Sequence, residues 1–221
     1  MQLSTWHTPH NGTCGDAATA ADADSCAVAV VRYGQTSNAG RVPNPRTFMA
    51  VTTDLGDPGS PFGDIHPRDK QQMASRLARS ALAVAYEDPG TPYESTTGPL
   101  VVAAGAHGDK VYVTFNHTAA VTVRHPGGFE LSPLPCDWRF PANGTASWYP
   151  AAIVASSGPA VKVQGRPGPA RCARYNWWRA PCMPALGPRN CALYSTEQPA
   201  LPAPQFIVPV AAGVPRTAPR W

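Results

Sequence analysis

Proline and glycine interrupt this sequence so often that only one stretch, Pro67 to Tyr86, reads as a long helix. With 26 prolines and 19 glycines in 221 residues, the rest is expected to be turns, loops and short strands. Hydrophobic residues still make up 43% of the chain. That is enough to bury the core of one large domain or two small ones, and it excludes a wholly disordered chain. No apolar run reaches the ~18 residues of a membrane-spanning helix, so no membrane partner is expected.

Within the helical stretch, Met73, Leu77, Ala81, Leu82 and Ala85 recur at helical spacing, and Pro67 suits a first turn. Lys70, Arg76 and Arg79 are expected on its polar sides, and Asp88-Pro89-Gly90 ends it. Upstream, Ala27 to Tyr33 and Phe48 to Thr52 read as strands, the second running into an acidic loop, Asp54 to Pro61. Downstream, Leu100 to Ala104, Val111 to Phe115, Ala120 to Val123, Ala152 to Ala155 and Ala160 to Val163 are short strand-like runs, the pattern of an antiparallel β domain.

Six cysteines stand at 14, 26, 136, 172, 182 and 191, with no C-x-x-C pair to suggest zinc or a redox motif. An even count in loop-like surroundings reads as disulfides. Cys14 with Cys26 and Cys182 with Cys191 are the local candidates among fifteen possible pairings. Three N-x-T sequons, at Asn11, Asn116 and Asn143, agree with an oxidising compartment. The net charge of +4 is mild and made almost wholly of arginine; residues 162–221 hold eight bases and one acid. That skew is the sole support for a nucleic-acid partner, and none is expected.

The chemistry concentrates in Phe62-Gly63-Asp64-Ile65-His66-Pro67-Arg68-Asp69-Lys70. A buried strand, an acidic loop and a histidine just before a helix are the setting of a site at the carboxyl end of a strand. The helix dipole favours neutral imidazole and a nearby carboxylate favours the charged form. A general base needs both influences. His66 is the candidate base, with Asp64, Asp57 or Asp54 as its acid. A histidine that merely caps the helix is the other reading of the same residues.

The block Thr47-Phe48-Met49-Ala50-Val51-Thr52-Thr53-Asp54-Leu55-Gly56-Asp57, followed by Ser60 to Lys70, resembles the C-terminal catalytic block of sialate O-acetylesterases of the SGNH hydrolase superfamily. Arg174 to Cys182, Leu193-Tyr194 and Ala200 to Ile207 are similar to that family's closing segment, and upstream Met1 to Ser4 and Val42 to Pro45 also resemble its pattern. The resemblance implies removal of O-acetyl groups from sialic acids by a serine nucleophile, a histidine base and an oxyanion hole, without metal or organic cofactor. His66 carries over as the base. The superfamily's D-x-x-H places glycine at position 63 here, so Asp64 is the first choice of acid and Asp57 its rival. The G-Q-S-N nucleophile turn has no true counterpart: Gly34-Gln35-Thr36-Ser37-Asn38 imitates it with one residue inserted.

The fold expected is therefore α/β. Residues 1–90 would be the C-terminal part of an SGNH-type α/β/α hydrolase domain (last strand, catalytic histidine loop, closing helix), and residues 91–221 a β-rich domain. The partner expected is an O-acetylated sialic acid or related acetylated sugar, and the location secreted or lysosomal, with a signal peptide and nucleophile block upstream. The alternative is a non-catalytic carbohydrate-binding or accessory β module. Tyr175, Trp177 and Trp178, flanked by Arg174 and Arg179, are expected to pack in the β core with the arginines outside; stacking on a sugar is the competing role.

Overall fold

The computed structural model describes residues 28–36, 42, 44, 46–63, 66–136, 148–166, 168–177, 181–182, 189–197 and 199–219. Most of them are β. Two helices, α1 (28–34) and α2 (Lys70–Val84), precede a short 3-10 turn (Tyr93–Thr96) and nine strands. The strands are β1 (Leu100–His107), β2 (Lys110–Asn116), β3 (Val121–Val123), β4 (Phe129–Ser132), β5 (Tyr149–Ser157), β6 (Ala160–Gln164), β7 (Cys172–Tyr175), β8 (Leu193–Ser195) and β9 (Phe206–Ala212).

Seven strands close into a barrel in the order β1-β2-β6-β5-β4-β7-β9, and β3 pairs with β8 in a separate ribbon. All the barrel pairs are antiparallel except the closing one, in which β1 meets β9 in parallel with Ala104 opposite Val210. Closure leaves the barrel itself no open edge, among the described residues, to pair with another chain. It also requires a close approach: a Cβ on Gly105 would lie 2.1 Å from the Gly213 carbonyl oxygen, so only glycine fits there.

The barrel interior follows the period of two. Phe129 and Leu131 of β4 face Tyr175 and Ala173 of β7, and Tyr175 stacks on Phe206 with centroids 5.4 Å apart. The outward set on this side is buried as well. Trp177, Trp148, Cys172 and Ile207 pack against Ala29 and Tyr33 of α1, and Gln205 Nε2 donates to the Ala29 carbonyl at 2.7 Å.

Four expectations are corrected. Residues 28–34 are helix, not strand: Ala29, Arg32 and Thr36 are buried at helical spacing, because one face must cover the outside of β7 and β9. Phe48 to Thr52 is not a strand; it has no neighbouring strand to pair with among the described residues. Arg174 is not outside. It is 2% exposed and donates to Glu130 through Nε at 2.7 Å and Nη2 at 3.0 Å, its guanidinium 4.2 Å from the Trp148 ring centroid. As the cross-strand partner of Glu130 it lies on the covered outer face. Arg76, expected on a polar side of α2, is buried with Met73 and Ser80 at positions three and four apart. Trp178 and Arg179 lie outside the described residues.

The expected runs after residue 90 coincide with β1, β2, β3, β5 and β6. The Cys182–Cys191 disulfide is formed, and a second joins Cys136 to Cys172 at the start of β7. Cys14 and Cys26 lie outside the described residues, as do Asn11 and Asn143. Asn116 ends β2, half-buried.

Burial drives Glu130 above the usual carboxylate range and Arg174 below its own, against the opposing pull of each on the other. Breaking such a pair strands a buried charge. Glu130→Gln is expected to cost about 3–5 kcal/mol in urea unfolding, whereas the double variant E130L/R174M restores most of it. A wild-type midpoint for Glu130→Gln would contradict this placement.

Candidate active site

The segment from Val51 to Asp69 is fixed at two points by arginine. A turn at Thr52 to Leu55, closed by the Leu55 N–H on the Thr52 carbonyl at 3.1 Å, carries Asp54 inward. There Arg76 donates through Nη1 at 2.6 Å and Nη2 at 2.9 Å to the two Asp54 oxygens, and through Nη1 at 2.7 Å to the Val51 carbonyl. The Tyr194 hydroxyl donates to Asp54 Oδ2 at 3.2 Å. This joins the loop and α2 to β8. Burial works against the charge on Arg76, but Asp54 outweighs it and raises the guanidinium further. Burial, with Asp54 adding to it, drives the Tyr194 phenol upward, so it stays a donor.

The second point lies outside. Arg68 grips Asp57 through Nε at 2.6 Å and Nη2 at 2.9 Å, and its backbone N–H adds a bond of 3.2 Å to the same carboxylate. The intervening residues form a loop closed at its neck. Ser60 Oγ donates to the His66 carbonyl at 2.6 Å, and the His66 N–H donates to the Gly63 carbonyl at 2.9 Å. Gly63 sits at φ 92°, a conformation that L side chains rarely adopt, which explains glycine at this position. The loop leaves His66 exposed.

Of the three acids weighed for His66, two are committed elsewhere. Asp54 belongs to Arg76 and Tyr194, and Asp57 to Arg68; neither bonds the imidazole. Asp64 lies outside the described residues. The helix also starts later than the sequence suggests. Asp69 is the N-cap, accepting from the Gln72 N–H at 3.0 Å, and Lys70 is the first helical residue. His66 thus stands four positions before the helix, beyond most of the dipole's reach, and Pro67 is outside the first turn.

The imitation of a nucleophile turn falls at the end of α1. Gly34 is the last helical residue, and Gln35 N–H still bonds the Val31 carbonyl at 3.1 Å; Ser37 lies outside the described residues. Nucleophile turns of the G-x-S type follow a strand, not a helix. Sequence reasoning missed the Asp54–Arg76–Tyr194 junction. The signal available was Arg76 three residues after Met73, on the face that α2 buries. Among the described residues, no three His, Cys, Asp or Glu side chains gather as a metal site.

Residues 101–210 match the family model of the sialate O-acetylesterase C-terminal domain. Among curated proteins, sialate O-acetylesterase from Homo sapiens is 35% identical over 184 residues, 80% of this chain and 32% of that protein. The Mus musculus protein is 34% identical over 185 residues, 81% of this chain and 32% of its own. The chain therefore spans about a third of the length of these relatives. Among solved structures, a carbohydrate acetylesterase from Xanthomonas citri superposes with a TM-score of 0.65 and 25% identity, over 94% of this chain and 39% of that one.

The Arg68 hydrogen bonds hold the Asp57 carboxyl down from 3.8 to about 2. A depressed carboxylate contributes stability above its unfolded value and loses it as pH falls through its folded value, here between about pH 4 and 2. The exchange protection of the Arg68 and His66 amides is expected to hold at pH 5 and fall across that window. In Asp57→Asn it should be low at pH 5 and flat with pH. Wild-type protection in that variant would contradict the clamp.

Proposed function

The chain belongs to the sialate O-acetylesterase family, and from that premise we propose that it supplies the general base of an esterase that removes O-acetyl groups from sialic acids. The observation that carries this reading is the clamped loop from Asp57 to Arg68. It fixes the backbone at His66 while leaving the imidazole exposed, next to the helix that Arg76 ties to the Asp54 loop. A base must be held in place yet reach a proton on another group.

In the proposed reaction, His66 takes the hydroxyl proton of a serine as the serine oxygen attacks the acetyl carbonyl carbon. The imidazolium then gives that proton to the departing sugar oxygen, leaving an acetyl-serine and a free sugar hydroxyl. Water repeats the sequence, with His66 taking its proton, and acetate leaves. Asp64 is proposed as the acid that orients the imidazole, since Asp54 and Asp57 are each engaged by an arginine.

The proposal places residues 1–90 in the closing part of an SGNH-type α/β/α hydrolase domain and residues 91–221 in the β domain that carries the barrel. It calls for no cofactor. The two disulfides favour a secreted or lysosomal setting.

The test is hydrolysis of a chromogenic acetyl ester by the chain joined to the nucleophile-bearing portion of a curated relative. His66→Ala should lower kcat by about 10³-fold or more, Asp64→Asn by about 10²-fold or more, and Asp57→Asn far less. Wild-type turnover in His66→Ala would refute the assignment. The 221-residue chain alone should show no turnover that Ser37→Ala abolishes; if it does, the nucleophile lies in the Gly34 to Asn38 segment. Unimpaired sugar binding with no turnover in any combination would favour the accessory-module reading.

A further inference from the structure

Beside the helix that follows His66, the protein holds a cleft of about 760 Å³ between α2 and the β3–β8 ribbon. Four arginines line it: Arg76 and Arg79 from α2, Arg124 just after β3, and Arg189. Their charges are unevenly matched. Arg76 is neutralised by the buried Asp54, and Arg189 lies 3.7 Å from Asp69 in a half-exposed pair, a weak form of compensation. Arg79 and Arg124 form no ion pair among the described residues.

Both unpaired guanidiniums are nevertheless held in position by neutral groups. Arg79 donates through Nε and Nη2, each at 3.2 Å, to the carbonyl and hydroxyl of Ser95, which leaves Nη1 without a partner among the described residues. Arg124 lies with its guanidinium carbon 3.7 Å from the Tyr194 ring centroid and donates through Nη1 to the Arg189 carbonyl, leaving Nε and Nη2 without a partner among the described residues. Cations fixed in advance and still carrying free donors are what a carboxylate needs for bidentate, charge-assisted bonds. The remaining wall is mixed. Gln72 and Ser75 offer polar contacts, while Leu82, Pro199 and Leu201 offer apolar ones, which suits a sugar with hydroxyl edges and C–H faces.

We propose that this cleft binds the carboxylate of an acidic sugar, with Arg79 and Arg124 as its anchors. The carboxylate requirement follows from the uncompensated arginines. The choice of a sugar acid over other carboxylates rests on the function proposed above. Of the two anchors, Arg124 has the greater influence, because its donors lie over Tyr194 and hence against the Asp54 junction that fixes the cleft's other wall.

The test is calorimetric titration of the full chain with N-acetylneuraminate and with its methyl ester, which keeps the sugar and removes the charge. The acid should bind about tenfold or more tightly than the ester, by an amount that shrinks as salt is raised. Arg79→Gln and Arg124→Gln should each abolish most of that preference. Equal affinity for acid and ester, or binding of neither by the wild-type chain, overturns the proposal, and this comparison needs no variant to fold. Binding is read without turnover. A chain that prefers the acid but gives no acetyl hydrolysis when joined to the nucleophile-bearing portion of a relative refutes the esterase reading and leaves the cleft assignment standing.

Discussion

The buried pair between Asp54 and Arg76 is the interaction on which the arrangement depends. Both side chains are almost fully removed from water, and all four parts of the site meet there: the loop through Asp54 and Val51, the helix through Arg76, the β3–β8 ribbon through Tyr194, and the cleft wall through Arg124 over the same tyrosine. An ion pair in such a place is weak support for stability in itself, since desolvation offsets most of the Coulomb gain. Its effect is on geometry. With Arg76 bidentate to Asp54, α2 has one rotation and one height against the loop. The residue that caps α2, Asp69, then stands three positions after His66.

The barrel backs this junction through β8, whose Leu193 N–H donates to the Tyr175 hydroxyl of β7 at 2.9 Å. It closes without a free edge and fills its interior with Phe115, Phe129, Tyr175 and Phe206. It also buries part of its outer face under α1. That outer layer contains the second buried pair, Glu130 with Arg174, pressed against Trp148. The two pairs differ in role. Glu130–Arg174 lies within a strand ladder, and Asp54–Arg76 joins separate elements.

How much of this was legible in the sequence depended on how far apart the partners lie. The helix was visible because Met73, Leu77 and Leu82 repeat locally, and the Cys182–Cys191 bridge because its ends are nine residues apart. Cys136–Cys172, 36 residues apart, was not. The run Ala27 to Tyr33 reads as a strand from its valines, and only the tertiary need to cover β7 and β9 makes it a helix. Strands β4 and β7 were hidden because Glu130 and Arg174 break the expected apolar pattern, although each charge is buried against the other. His66 was legible from its local motif. The engagement of Asp54 by Arg76 was not, because a carboxylate near a histidine and one facing an arginine 22 residues away look the same in one dimension.

The central claim is that the Asp54–Arg76 pair fixes the histidine loop and α2 onto the β3–β8 ribbon, beside a barrel that stands without it. Residue-resolved hydrogen exchange on Asp54→Asn measures this most directly. The account predicts that amides of α2 and of the loop from Asp57 to Arg68 lose protection by about 3 kcal/mol or more, while those of β1, β2 and β6 keep theirs. Uniform loss across barrel and helix, or no loss in α2, would contradict it.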